Sequence, residues 1–143
     1  MRVVGKVLSL YISNMLSNKQ ACHHIHLDIK GILEDKHYNQ NIQRSILISS
    51  IYSYNLVKSH DININIGTLG ENILVDFNLN KLNIGNRIKI NNCLLEITQN
   101  CTLCKHLTTI DTKLPKLLKN DRGIFAKVIH SGTIHTNDDI YIY

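Results

Sequence analysis

The chain has 143 residues, of which 43% are hydrophobic and 19% charged; this composition fits one globular domain and excludes a disordered or collagen-like chain. Sixteen Lys and Arg against eleven Asp and Glu give a formal charge of +5, and the basic residues are scattered, which favours an anion-binding cleft over a nucleic-acid tail. The apolar runs are far shorter than the roughly 20 residues of a membrane-spanning helix. The N-terminus also lacks a signal-peptide cleavage pattern, so we expect a soluble, cytoplasmic protein.

Short segments rich in Ile and Val predict β-strands along the whole chain, because several of them alternate apolar and polar residues. The predicted strands span residues 5–13, 24–29, 62–66, 72–77, 87–90, 93–98, 124–129 and 139–143. Turn-forming residues at 91–92, 131–132 and 137–138 separate some of them. Helices are predicted over 45–56 and 114–120, the second opening near Pro115. We therefore expect a mainly β fold, a closed or nearly closed β-barrel with a few short helices, as a single domain over residues 1–143.

Four cysteines in such a chain are expected to be reduced rather than paired. Cys93 lies in a strand pattern and is expected to be a small buried hydrophobic residue. Cys101 and Cys104 form a C-x-x-C on a predicted loop. A thioredoxin-like dithiol would require a βαβ pattern, which the sequence lacks. A zinc site would need further ligands from the segment 22–26, and two inert cysteines remain the simplest alternative.

Two further clusters carry polar side chains between predicted strands. Asp35, His37 and Arg44 form one, which by itself is also typical of a solvated loop. The other is the turn 67–72, with Gly70, Glu71 and Asn72, whose backbone amides could cradle an anion or simply form a tight connection. Neither cluster alone identifies a function.

The order of these motifs along the chain resembles the MOSC domain family, the C-terminal domain of molybdenum cofactor sulfurases, which also occurs as small stand-alone bacterial proteins. The match covers essentially the whole chain and starts at the opening G-K-V-L-S-L. The family cysteine lies five residues after a glutamine, which selects Cys104. The other matched positions are Gly31, Asp35, His37, Arg44, Gly70, Glu71, Asn72, Glu96, Thr98, Gln99, Arg122, Gly123, Ile124, Phe125, Ala126, Asn137 and Asp138.

The chain departs from the family pattern at a few positions. Glu34 stands where the first loop of the family has its second glycine, which puts the standard conformation of that loop in question. Asn86 and Asn137 replace an Asp and a Gly of two G-D turns, and Asn tolerates turn geometry. Cys101 is a thiol that the resemblance does not account for.

The resemblance implies a protein that binds the molybdenum cofactor (molybdopterin), carries sulfur, or does both. Cys104 would be the catalytic residue, as a persulfide or as a thiolate that contacts the metal, and Lys105 and His106 would favour its thiolate form. The residues implied in cofactor binding are Asp35, His37, Arg44, Gly70, Glu71, Asn72, Lys105 and Arg122. The resemblance also implies two binding activities that are associated with the family as a whole, namely binding of molybdenum ion and of pyridoxal phosphate. An anionic pterin needs cations, so Arg44 and Arg122 are expected to converge on one cleft with Cys104.

Alternatives remain within and outside this family. The protein could be a carrier or chaperone of the cofactor without chemistry of its own, or the molybdenum-dependent component of a reductase for N-hydroxylated compounds. A chain of 143 residues would then need partners: a cysteine desulfurase, a molybdoenzyme or a redox protein. A nucleic-acid barrel is disfavoured, because six Tyr, two Phe and no Trp offer a poor stacking platform. We also expect no protein-bound zinc.

Overall fold

The computed structural model describes residues 1–16, 18–102 and 105–143, with Lys105 described by its backbone alone. The strands in these residues are β1 (Arg2–Ser13), β2 (Lys19–Cys22), β3 (His24–Asp28), β4 (Gly31–Ile32), β5 (Ile46–Ser50), β6 (Ile73–Val75), β7 (Arg87–Ile90), β8 (Cys93–Asn100), β9 (Ile124–His130), β10 (Gly132–His135) and β11 (Asp139–Ile142). The helices are α1 (Ile51–Ser59), α2 (Lys105–Ile110) and α3 (Leu114–Leu117), with single 3₁₀ turns at Ile42–Arg44 and Leu79–Lys81.

In the described part of the chain, seven strands close into a barrel. Their order is β1-β6-β5-β9-β8-β7-β11, and β11 pairs again with β1 to complete the ring. The neighbours β5 and β6 run parallel, and the other pairs in the ring are antiparallel. The strand β2 extends the sheet beside β1, while β10, β3 and β4 form a small separate sheet. The predicted mainly β, closed barrel is confirmed, and closure leaves the ring without exposed edges.

The apolar side chains divide into two main cores. The larger one fills the barrel with inward-facing residues from nearly every strand, such as Val7, Ile48 and Ile97. The second lies between α1, the segment 62–69, α2 and α3, and it contains Tyr54, Val57 and Leu107. The helices thus cover one outer side of the barrel. Among the described residues, none of the helices has the length and apolarity needed to cross a bilayer.

The prediction for residues 45–56 was wrong in its first half. Ile46–Ser50 is the strand β5, and all five residues are buried. A strand buried on both faces has a continuous apolar pattern that cannot be told from a buried helix by its period. The helix α1 begins only at Ile51, where the Ser50 side chain accepts a hydrogen bond from the backbone N–H of Tyr52 and caps it.

The segment 62–66 is not a strand either. Its isoleucines alternate with asparagines, but Ile62 and Ile64 pack in the second core, and the backbone N–H of Ile62 bonds to Val57 O at the end of α1. The alternation of isoleucine and asparagine therefore reflects the packing of isoleucines against a helix, and not the two faces of a β-strand. The strands β2, β4 and β10 and the helix α2 were not predicted, whereas α3 lies within the predicted helix 114–120.

Several residues in the connecting turns adopt left-handed backbone conformations. Asn91 and Asn137 adopt left-handed φ values of 55° and 71°, as expected of asparagine. Glu34 adopts φ 72° as well, at the third position of a turn closed by the Asp35 N–H on Ile32 O. Because Leu33, the residue before it, has a negative φ, this is a type II turn. Such a turn favours glycine at the position that Glu34 occupies. The loop thus keeps a glycine-like conformation despite its glutamate, at a cost of roughly 1–2 kcal/mol.

Candidate functional site

A cavity of about 570 Å³ lies where β5, β9 and the end of β8 meet the loops 35–44 and 70–72. Its apolar side is a small buried cluster of Leu47, Cys101 and Phe125. Its polar side is cationic, because the lining residues include Lys19, Lys36, Arg44 and Arg122 together with His37 and His106. A cavity with one apolar wall and several cations suits a planar ligand that carries negative charge.

Five of the residues that the sequence predicts for the site line this cavity: His37, Arg44, Gly70, Asn72 and Arg122. The two arginines therefore meet at one site although almost 80 positions separate them in the chain. The predicted Cys104 and the side chain of Lys105 lie outside the described residues. His106, which follows them in α2, lines the cavity with its Nε2 against Thr68 O at 3.2 Å.

Asp35 lies behind the cavity wall, and its side chain is buried. Its Oδ1 accepts the Ser13 N–H at 2.8 Å and the Asn72 amide at 3.4 Å. Its Oδ2 accepts the His37 N–H at 3.0 Å and lies 3.1 Å from His37 Nδ1. Burial alone would raise the pKa of Asp35, but hydrogen bonds from His37 and from the Ser13 amide outweigh it, and the pKa lies below its ordinary value. The carboxylate therefore stays ionised and holds the imidazole in place.

Arg44 ends the 3₁₀ turn and covers the apolar side of the cavity. Its guanidinium lies over the Phe125 ring, 5.6 Å from the centroid, and its Nε donates to Gln99 Oε1 at 3.3 Å. These contacts orient the guanidinium plane and leave its outer nitrogens for a ligand.

Arg122 also lines the cavity but is buried, and its Nη2 donates to Leu69 O at 3.0 Å. The next residue, Gly70, has φ 90°, where a side chain would be strained, and a Cβ there would lie 3.6 Å from the same Nη2. The backbone conformation therefore favours glycine at position 70, since a Cβ at that distance from Nη2 would be in ordinary van der Waals contact.

Asn72 ties three segments together below the cavity. Its Oδ1 accepts the Leu47 N–H at 3.0 Å, and its amide donates to Tyr11 O at 3.2 Å besides Asp35. A residue with both a donor and an acceptor is needed here, which explains an amide at this position.

Glu71, between these two residues, does not line the cavity. Its carboxylate is buried on the side of the second core, where the Tyr54 hydroxyl lies 2.7 and 2.8 Å from its two oxygens. The same hydroxyl accepts the N–H groups of Gly67 and Leu69. Burial raises the pKa of Glu71, in spite of the bond from Tyr54. Glu71 thus anchors the turn 67–72 from behind, and its backbone carbonyl accepts Lys19 Nζ at 3.3 Å.

The described cysteines differ in surroundings. Cys93 is fully buried in the barrel, and burial raises its pKa to about 12. Cys22 is half-buried, with a raised pKa from loss of hydration. Cys101 lies on the cavity wall and also borders a neighbouring cavity of about 240 Å³. The extra thiol of the C-x-x-C is therefore placed at the candidate site.

The zinc alternative involves Cys101, Cys104 and the segment 22–26, of which Cys104 lies outside the described residues. Among the described residues, no group of three or more His, Cys, Asp and Glu side chains is arranged to hold a metal ion. His24 and His26 share one face of β3, as strand alternation requires, with ring centroids 5.1 Å apart. Both are exposed on the outer face of the small sheet, whereas Cys101 is buried at the cavity.

Several lining residues were not predicted as site residues. Ser13, Lys19, Lys36, Gln40, Asn41, Leu47, Cys101, His106 and Phe125 complete the cavity. Phe125 is one of the positions matched to the family, and His106 directly follows Cys104 and Lys105 in the chain. The sequence could therefore have predicted both as site residues. Lys19 and Leu47 reach the cavity through the pairing of β2 with β1 and of β5 with β9, which no local pattern reveals.

Comparison with known proteins places the chain among related folds. The MOSC domain family model matches residues 34–141. The structure of the YuaD protein from Bacillus subtilis is similar over 96% of this chain and 94% of that one, with a TM-score of 0.85 and 21% identity. YiiM from Escherichia coli matches with a TM-score of 0.70 and 14% identity, over 96% of this chain and 69% of that chain. YiiM from Geobacillus stearothermophilus matches over 99% and 74%, with a TM-score of 0.69 and 13% identity. No curated protein matches the chain.

Proposed function

Because the family match covers most of its length, the chain belongs to the MOSC domain family, and we propose that its cavity binds a molybdenum-cofactor-like pterin or serves sulfur transfer through Cys104. The family is linked to the molybdenum cofactor in general. The observation that carries the proposal for this chain is the cavity itself, in which Arg44, Arg122, Lys19 and Lys36 surround an apolar wall.

The residues of the cavity fit such a ligand. A pterin is planar and apolar on its faces, and the Phe125 ring with the Arg44 guanidinium 5.6 Å from its centroid offers an aromatic and a cationic contact for such a ring. The phosphate that the cofactor carries needs charge-assisted donors, which arginine supplies bidentately. The cavity is large enough for a ligand of this class.

Each part of the chain has a distinct task in this proposal. Arg44 and Arg122 bind the anionic groups, the turn 70–72 supplies close backbone contacts, and Asn72 fixes the relative position of the walls. The bound cofactor would supply a molybdenum ion held by dithiolene sulfurs. Cys104 is the proposed thiolate, as persulfide carrier or metal contact, and Lys105 is proposed to favour its ionised form. A cysteine desulfurase, a molybdoenzyme or a redox protein is the proposed partner, and the cytoplasm is the proposed location.

The test is purification without reductant, followed by intact mass spectrometry and by molybdenum and pterin analysis. We expect either a mass increase of about 32 Da, from one persulfide sulfur, or a stoichiometric pterin. Cys104→Ser should remove the sulfur adduct, while the matched variant Cys93→Ser changes a thiol buried in the barrel and should retain it.

The arginines give a second arm of the same experiment. Arg44→Gln, which removes an exposed cation at the cavity mouth, should reduce the pterin content without unfolding the chain. Its control is Arg87→Gln, because Arg87 pairs with Glu96 on the barrel surface, away from the cavity. Protein that carries neither sulfur nor pterin after expression in cells that make the cofactor would contradict the proposal.

A further inference from the structure

His37 combines exposure to the cavity with a contact to a buried carboxylate. Its ring lines the cavity and is about half exposed, with 55% of the side-chain surface accessible. Its Nδ1 faces the buried carboxylate of Asp35 at 3.1 Å. Every other partner of that carboxylate is a donor: the Ser13 and His37 N–H groups and the Asn72 amide.

This network assigns the tautomer of His37. An ionised carboxylate can only accept hydrogen bonds, so His37 Nδ1 must carry a hydrogen. In the neutral ring the other nitrogen, Nε2, is then an acceptor, and in the imidazolium it becomes a donor. The exposed part of the ring can exchange this second proton with water.

Opposing charges surround the imidazole. From its own loop Asp35 favours the imidazolium, and Lys36 disfavours it. Among the described residues, the other charged or titratable groups at the cavity are Lys19 from β2, Arg44 from the 3₁₀ turn, the Cys101 thiol after β8, His106 from α2 and Arg122 ahead of β9. With an empty cavity these cations oppose a further positive charge, and a bound anion reverses that effect. Binding of an anion and protonation of His37 therefore favour each other, as linkage requires.

We propose that His37 couples anion binding in this cavity to the uptake of one proton, with Asp35 as the positioning residue that fixes its ring. The proton comes from water and is bound at Nε2, which then donates to the anion. When the anion leaves, the imidazolium releases the proton to water. This inference rests on the proposed function only in taking the cavity as an anion site.

The experiment uses inorganic sulfate as the probe, because its charge is constant between about pH 5 and pH 8 whereas imidazole titrates there. Calorimetric titration at pH 7 in two buffers of different ionisation enthalpy gives the number of protons taken up per sulfate bound. We expect a fractional uptake in the wild type and almost none in His37→Gln. At pH 5.5 His37→Gln should bind sulfate about tenfold more weakly than the wild type, and this difference should shrink as the pH rises to 8, because an imidazole donates from both nitrogens only when it is protonated.

Two further variants complete the experiment. His106→Gln removes the other cavity imidazole, which could itself take up a proton at Nδ1 because its Nε2 donates to Thr68 O. The uptake that remains in this variant is the part assigned to His37. His24→Gln changes an exposed imidazole on the outer sheet and should behave like the wild type.

Nitrogen-15 spectra of labelled histidine test the role of Asp35 separately. The wild type should show the Nδ1–H tautomer of neutral His37, and Asp35→Asn should lose the preference for this tautomer. If Asp35→Asn does not fold, the wild-type spectrum alone decides the tautomer.

The outcomes separate this inference from the proposed function. Sulfate binding that Arg44→Gln weakens, with a proton uptake that His37→Gln leaves unchanged, would keep the anion site and overturn the coupling. A neutral His37 found as the Nε2–H tautomer would also overturn it. No sulfate binding to the wild type at any pH would remove the anion site and the coupling with it.

Discussion

Two buried carboxylates on either side of one turn show how different surroundings give the same chemical group different tasks. Asp35 faces the cavity side and receives hydrogen bonds from two backbone amides and an imidazole. Glu71 faces the helical side and meets the Tyr54 hydroxyl. The pKa of Asp35 lies below its ordinary value, whereas burial raises that of Glu71. The first remains charged beside the cavity, and the second holds a turn against an apolar core.

The two regions also differ in how their backbone takes left-handed conformations. The turn at Glu71 uses glycine, at Gly67 with φ 97° and at Gly70 with φ 90°. The loop before Asp35 uses Gly31 with φ 126° and also the non-glycine residue Glu34 with φ 72°. The loop at Glu34 therefore stores backbone strain that the turn 67–72 avoids. The predictions below test these contrasts.

The largest expected effect is on the helical side. Tyr54→Phe removes the hydroxyl that accepts the N–H groups of Gly67 and Leu69 and donates to Glu71. Leaving these buried groups without a partner should lower the free energy of unfolding by about 2–3 kcal/mol. Denaturant unfolding measures it.

The matched control is Tyr52→Phe, because Tyr52 lies on the same helix with 54% of its surface exposed. It should change the stability by less than about 0.5 kcal/mol. Equal losses in the two variants would contradict a structural role of the Tyr54–Glu71 pair.

The two carboxylates should give pH dependences of opposite sign. The lowered pKa of Asp35 stabilises the fold above its unfolded value of 3.8, and this contribution is lost as the pH falls through the folded pKa. The raised pKa of Glu71 destabilises the fold at high pH. That cost is absent below the unfolded value of 4.5 and develops as the pH rises through the folded pKa.

Unfolding of the wild type, Asp35→Asn and Glu71→Gln between about pH 3 and pH 7 checks this. As the pH falls, the advantage of the wild type over Asp35→Asn should shrink. Over the same range the wild type should gain stability relative to Glu71→Gln. Parallel curves for the three proteins would show that neither carboxylate has a shifted pKa.

Much of the barrel was predictable, because alternation and turn residues are local signals. Strands β7 and β8 and the turn at Asn91 between them follow directly from them. The strand β5 was missed because all its residues are buried, and the segment 62–66 was misassigned because its isoleucines pack on a helix. Both errors have one cause. The side chains of these segments are buried by tertiary contacts, and the local periodicity of the sequence does not show which contacts will form.

The site was predictable in its motifs and not in its side-chain directions. Arg44, Asn72 and Arg122 were expected at one cleft, and all three line the cavity. Glu71 belongs to the same motif but points to the opposite side, since consecutive residues of a turn face different ways. Lys19 was missed because only the pairing of β2 with β1 brings it to the cavity.

The smallest expected effect sharpens the contrast between the two loops. Glu34→Gly should stabilise the protein by about 0.5–1 kcal/mol, because relief of roughly 1–2 kcal/mol of left-handed strain exceeds the added entropy of glycine in the unfolded chain. The control is Asn39→Gly in the same loop, where φ is 57° but asparagine tolerates the conformation, so the change should be close to zero. Thermal unfolding compares them, and Glu34→Asn should fall between the wild type and Glu34→Gly. Sulfate binding should persist in Glu34→Gly, since glycine supports the same type II turn and leaves the Asp35–His37 contact in place. A loss of stability in Glu34→Gly would mean that the glutamate side chain contributes more to this loop than its backbone strain costs.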